Sequence, residues 1–422
     1  MRRIVFVLAI LFFSVANLQA QNISVVFKTD NAAGKNLYLL KYSDYITEME
    51  TVIFSAKIPL NGVVEHSFAA QSTEMYKLKI NQAEETIYLQ PNTSYSINIS
   101  YPQTLSNINP FQNKQYLTLE ITSSAKKDVN VMIAQFNETY DDFLLETLFH
   151  KSPKKILGEH RKFAAEYLEK IAGEDAFFKA YAEYSFGLTE VSLVDKIGKD
   201  FIDKYFTQKD VVYNSLEYFQ LLKEVCKSTE YILKDSTSSN LRLKELTYLY
   251  FLMRDFYGDS EKEEVLRFIK AAVNKATYAE TKQIGNNILK YLTRYRRGSN
   301  FPSINLESEN GNEYSLSQGD KYSYLLFVNS DIEICTDVVK ELNSINFANF
   351  GVAPLLVAMD FAKTSIDAAG FTLLKPKDVG VVLNELNIRS YPFAILLDKS
   401  GKIVRYDAPV TREKLEALLR AR

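Results

Sequence analysis

Tryptophan is absent from this 422-residue chain, and cysteine and histidine are scarce, with two and three residues. A pair of cysteines, Cys226 and Cys335, excludes a disulfide scaffold. Both are expected to be buried, each in a different predicted domain, so no bridge between them is expected. The histidines His66, His150 and His160 are scattered without metal-ligand spacing, so they are expected to be packed or solvated, and no metal or other cofactor is expected. The chain also lacks a phosphate-binding glycine loop, a Gly-x-Ser-x-Gly elbow and a His-Glu-x-x-His pair, which removes the commonest nucleotide, hydrolase and metalloprotease signatures. The formal charge is −2, too balanced to suggest nucleic acid as a partner. The basic run Arg294 to Gly298, "RYRRG", reads instead as positive charge closing a helix. Past the N-terminus, no apolar run approaches the length of a membrane span.

What the chain does have is aromatic and globular. Hydrophobic residues make up 46% and charged residues 24%, with 27 Tyr and 27 Phe. The first twenty residues form a secretory signal: Arg2 and Arg3, an unbroken apolar stretch from Ile4 to Phe13, then small and polar residues up to Ala20, with Leu18 rather large for its place before the cut. Export follows, to the periplasm or cell envelope of a Gram-negative bacterium, with no membrane span in the mature chain.

Three regions succeed the leader. Residues 21–123 alternate with period two. Tyr95, Ile97, Ile99 and Tyr101 share a face, as do Tyr76, Leu78 and Ile80, and Leu117, Leu119 and Ile121. About eight short strands predict an antiparallel β-sandwich with one wet face per sheet. Residues 128–297 carry the helical period, with Val265, Ile269, Ala272 and Val273 on one stripe. Ser260 with Glu263 and Thr277 with Glu280 read as capping boxes, and Ser152-Pro153 as a helix start. Seven or eight helices are expected, serving as a spacer or scaffold or, alternatively, as a partner-binding groove.

Residues 300–422 open with Asn310-Gly311 between two alternating runs, a tight hairpin signal. The buried strand Tyr324 to Val328 comes next, then a helix around Cys335, the strand "APLLVAM", the helix "DVGVVLNEL", the hairpin "YPFAILLDKSGKIV" and a last helix capped by Thr411. Parallel strands with crossover helices, ending in a hairpin and a helix, give a thioredoxin-like α/β domain.

On "FPSINL" with its hairpin, "LLFVNSD" and "YPFAILLDKSGKIV", this last region resembles the thioredoxin domain of the TlpA/ResA family of envelope thiol-disulfide oxidoreductases. The strands and helices ahead of it resemble the N-terminal extensions that some exported members carry. The resemblance implies that the family's Cys-x-x-Cys falls on Ile332, Glu333, Ile334 and Cys335, with Phe327 setting the register. It matches Pro392 to the cis-proline facing that motif, and Tyr391 to the residue whose backbone pairs with a bound chain. An acidic residue and a proline frequent in the family's next helix are here Val338 and Lys340.

The first sulfur of such a motif is the nucleophile, exposed at a helix N-terminus that lowers its pKa. Isoleucine supplies no thiolate, and the second position is buried. No catalytic residue is therefore expected, and a protein partner in the envelope is, bound beside Tyr391 and Pro392. Residual thiol chemistry through Cys335 is the alternative. A peroxiredoxin reading fails, because Ile332 stands where a threonine is required. Asp331 and Glu333 could form an acid-base pair, but exposed loop charges are the plainer reading.

Overall fold

In the computed structural model, residues 21–81, 83–102, 115–148, 153–228, 240–258, 261–316, 320–330, 332–359, 368–386, 388 and 390–421 are described. The expected leader, His150, Ser152, Ser260 and Asp331 lie outside these residues.

The N-terminal region forms two sheets. One runs in the order β4 (Val63–Ala70), β1 (Gln21–Lys28), β7 (Ser94–Ser100), β9 (Thr118–Ser123). The other runs β3 (Glu50–Lys57), β2 (Asn36–Tyr42), β5 (Glu74–Ile80), β6 (Ala83–Leu89), β8 (Gln115–Tyr116). Inward residues such as Phe27, Leu37, Leu39, Leu78 and Ile97 close a dry core between them. Two corrections apply to the expected sandwich. It is mixed rather than antiparallel, since β1 pairs with β7 and β6 with β8 in parallel. Side-chain alternation has the same period in either direction, so it does not report strand polarity. The outer face of the five-stranded sheet is also not wet. Tyr38 and Leu40 belong to the core of the C-terminal region, while Met75 of β5, with Tyr45 and Ile46 of the β2–β3 connection, belongs to the helical core.

Eight helices follow among the described residues: α1 (Val129–Leu148), α2 (Pro153–Lys170), α3 (Ala176–Leu193), the short α4 (Lys199–Ile202), α5 (Leu216–Ser228), α6 (Leu241–Phe256), α7 (Lys262–Lys275) and α8 (Ala279–Thr293). Their apolar stripes meet in one aromatic-rich core. The capping box predicted from Thr277 and Glu280 is not how α8 starts. Helix α8 is capped by Tyr278 without a side-chain bond, and the Thr277 amide instead donates to Glu245 at 2.9 Å. Elsewhere caps are explicit: Asp175 accepts from the amides of Phe177 and Phe178. The helical region is tied to the sandwich by Asn130, whose amide accepts from the Tyr88 N–H at 2.8 Å and donates to its carbonyl at 2.7 Å. It thereby acts as a short mimic of a neighbouring strand.

The C-terminal sheet has the order β11 (Glu313–Tyr314), β10 (Leu306–Ser308), β14 (Thr372–Pro376), β13 (Val352–Ala358), β12 (Tyr322–Val328), β15 (Phe393–Leu397), β16 (Ile403–Tyr406). Strand β12 is parallel to β13 and antiparallel to β15. A helix, α9 (Glu333–Leu342), lies in the crossover between the parallel pair. Helix α9 and the final α11 (Arg412–Arg420) cover one face through Cys335, Val339, Leu342, Leu415 and Leu419. Helix α10 (Val379–Leu386) covers the other through Val379, Val382 and Leu386. This is a thioredoxin-like arrangement: a parallel pair with a crossover helix, then a hairpin and a helix. Gly311, at φ +77°, turns the β10–β11 hairpin. Strand β14 was not expected. Thr411 precedes α11, but its side chain makes no capping bond; the Arg412 amide donates to Glu341 at 2.7 Å instead.

Candidate functional site

Strand β12 is buried on both faces: Leu325 and Phe327 enter the core under α10, and Tyr324, Leu326 and Val328 enter the core under α9. The Tyr324 hydroxyl is satisfied by the Pro409 carbonyl at 2.8 Å. After this strand the chain turns at Asn329 and Ser330 and starts helix α9. Ile332 is the N-cap residue, in extended backbone conformation. Its amide donates to the Asn329 carbonyl at 3.1 Å, and its own carbonyl accepts from the Cys335 amide at 2.9 Å.

Ile332 and Cys335 therefore share the first turn. Both face inward, Ile332 at 7% exposure and Cys335 at 0%. Glu333 is exposed and Ile334 half-buried. An N-cap normally supplies an oxygen to the free amides of the first turn, which isoleucine cannot do; Glu333 places negative charge there instead, as the helix dipole favours.

Tyr391 and Pro392 precede β15, joined by a cis peptide bond. The Tyr391 ring packs against both C-terminal cores, the Ile332 and Cys335 side among them. The structure thus brings the β12–α9 turn and the Tyr391-Pro392 turn to the same end of the sheet. Cys226 is remote, in the helical core, where burial pushes its thiol up to about 12. The two sulfurs lie in separate cores and are not joined.

The other residues singled out in the chain sit in packing roles. His66 stacks on Phe54 with ring centroids 4.0 Å apart. His160 is fully buried and hydrogen-bonds the Tyr140 hydroxyl at 2.7 Å, with burial lowering its pKa to about 4. Arg294 lies over the ring of Tyr295 at 4.4 Å. Among the described residues, no group of three His, Cys, Asp or Glu is placed to hold a metal, and no helix is long and apolar enough to cross a membrane.

Sequence reasoning missed the residues that border this end: Tyr38, Leu40 and Val52 of the sandwich, from outside the domain, and Asn384 of α10, from within it. Together with Asn329, Met359 and Tyr391 they line a small cavity of about 40 Å³. A signal was present in "NLYLLKY". Apolar residues at consecutive positions 37 to 40 mark a strand buried on both faces, not one with a wet side.

No family model and no curated protein matches this chain. Solved structures do. The thioredoxin domain of a thiol-disulfide oxidoreductase from Bacteroides vulgatus is 25% identical over 30% of this chain and 96% of that one, with a TM-score of 0.26. A thiol:disulfide interchange protein from a Bacteroides species is 22% identical over 31% of this chain and 89% of that one, at 0.26. A thioredoxin-like protein from Bacteroides caccae is 14% identical over 64% of this chain and 95% of that one, at 0.31. With TM-scores this low, the assignment of a thioredoxin-like fold to the C-terminal region rests on its strand order and crossover helix.

Proposed function

We propose that this chain is an exported, thioredoxin-like envelope protein that has lost disulfide oxidoreductase activity and works by binding another protein. The observation that carries the reading is the side chain at the start of α9. Thiol-disulfide exchange begins with attack by a thiolate. The N-cap position, where the helix dipole would stabilise one, holds Ile332, an aliphatic group with no proton to lose and no lone pair to donate. Cys335, one turn in, is fully buried within an apolar core, and a thiol so placed behaves as a small hydrophobe. A thioredoxin-like fold without its nucleophile retains the turn at Tyr391-Pro392, beside which an extended segment of a partner pairs through its backbone.

Replacing the missing sulfur tests the assignment. In the Ile332→Cys variant, oxidation is expected to join residues 332 and 335, because they close one hydrogen-bonded turn, and insulin reduction is expected to rise above the silent parent. Failure to form this bridge would remove the proposed register. The competing reading, residual thiol chemistry at Cys335, requires that sulfur to react with a small thiol probe in the native protein at a rate near that of the unfolded chain. The burial of Cys335 leads us to expect labelling only on unfolding.

A further inference from the structure

Val52 and Asn384 are 332 residues apart in the chain, yet the Val52 N–H donates to the Asn384 side-chain oxygen at 2.6 Å. Around this bond β3 lies along helix α10. Gly380 leaves the room for that approach, since a Cβ there would sit 3.3 Å from Val52 Cγ1. Tyr38 and Leu40 of β2 reach past Val52 into the C-terminal core, where they are 7% and 4% exposed.

The position of this contact matters more than its size. Asn329 and Met359 directly follow β12 and β13, at the ends of the two central parallel strands. Ile332 begins α9 from that same end, and Tyr391 precedes β15 there. Among the described residues, the sandwich leaves a cavity of about 40 Å³ against Tyr391, Asn329 and Met359. That holds a water molecule or two and not a polypeptide.

Beside the apolar anchors Tyr38 and Leu40, part of the contact is polar. The cavity lining includes Glu50, Lys79, Asn81, Asn329 and Asn384, polar groups that water can satisfy. The Lys290–Glu385 pair, at 3.2 Å, is half-exposed and screened, so it adds little. Interfaces of this kind between domains of one chain resemble transient complexes.

We propose that the β2–β3 face of the sandwich is a built-in cover for the partner-binding end of the thioredoxin-like domain, and that a protein segment reaches the Tyr391 backbone when this face lifts. This rests on the partner-binding reading above and adds its regulation: the sandwich and the partner compete for one end of the sheet.

The geometry supplies its own lock. A Cβ at position 380 would lie 3.6 Å from Val52 Cβ, within disulfide range. In the full chain carrying Val52→Cys and Gly380→Cys, mild oxidation should join the new pair, because Cys226 and Cys335 are buried. Hydrogen exchange then reads the cover directly. The amides of residues 52 and 391, the first bonded across the contact to Asn384 and the second in the cavity lining beneath it, should exchange at least about tenfold faster in the reduced protein than in the locked one; equal rates mean that the face does not lift, and overturn the proposal. As a second variant, Asn384→Ala removes the acceptor of the Val52 amide without entering either core. It should speed the same amides about fivefold, the worth of one such hydrogen bond.

Binding is read with reduced, carboxymethylated α-lactalbumin, a permanently extended chain. Capture by the reduced double variant, lost on locking, supports the cover. Capture undiminished by the lock overturns the cover and leaves the binding reading standing. Capture by neither form, in a protein whose exchange shows lifting, overturns the binding reading and the cover's role with it.

Discussion

Two side chains show how much depends on a single residue's surroundings. Ile332 is an ordinary aliphatic residue whose meaning comes from standing at a helix N-cap beside Cys335. Glu217, near the start of α5, is the reverse: a reactive group set in an apolar place. It is buried, at 9% exposure, with the Ser215 hydroxyl donating to it at 3.1 Å. Burial pushes its carboxyl up to about 7, against that bond and one from its own amide, which pull the other way. The folded protein then keeps a proton that the unfolded chain releases near pH 4.5, so stability is expected to fall as pH rises from about 4.5 to about 7 and to level off above. Glu217→Gln should remove this slope. In urea unfolding it should gain about 2 kcal/mol more over the parent near pH 8 than near pH 5; a gain independent of pH would refute the assignment. The spacing of Phe327, Ile332 and Cys335 is visible in the chain, because register is a matter of counting. The predicament of Glu217 is not, since "NSLEYF" reads as a common helix start, while Tyr45, Tyr88 and Tyr181, whose hydroxyls feel its charge, come from distant parts of the chain.

Among elements, periodicity was the dependable signal and capping the weak one. The stripe of Val265, Ile269 and Val273 is buried, whereas neither Thr277 nor Thr411 makes a side-chain capping bond, although Thr411 is the N-cap residue of α11, and carboxylates from other helices accept from the Thr277 and Arg412 amides nearby. What periodicity could not show is how closely helices approach. At Gly285 of α8, an added Cβ would stand 2.4 Å from Val273 Cγ2 of α7 and 3.3 Å from Leu249 of α6. Gly285→Ala should therefore destabilise by about 1–3 kcal/mol through overpacking. Adding Val273→Ala, which clears the clash, should return part of that loss despite being destabilising alone. Simple additivity of the two changes in chemical denaturation would argue against this helix crossing.

For the molecule as a whole, the order sheet, helices, sheet was readable because each region changes its hydrophobic period. Their mutual docking was not, because the residues that meet are far apart in the chain. Tyr38 and Leu40 bury against the C-terminal region, each such side chain contributing about 1.5–3 kcal/mol. A chain ending before residue 300 should then expose a new apolar patch, seen as several-fold stronger binding of an environment-sensitive dye such as ANS and a lower unfolding midpoint. Dye binding unchanged from the full chain would contradict the docked arrangement. The same truncation separates a scaffold role, in which partner capture survives, from one centred on Tyr391 and Pro392, in which it is lost.

Strand β2 has no spare side. Leu37 and Leu39 point into one core while Tyr38 and Leu40 point into another, and the bulge where Leu39 faces Phe54 but Leu40 faces Val52 sets where each lands. A slip of one position would exchange the two sets and spoil both interiors together. Seven residues thus keep the first third of the chain in step with the last.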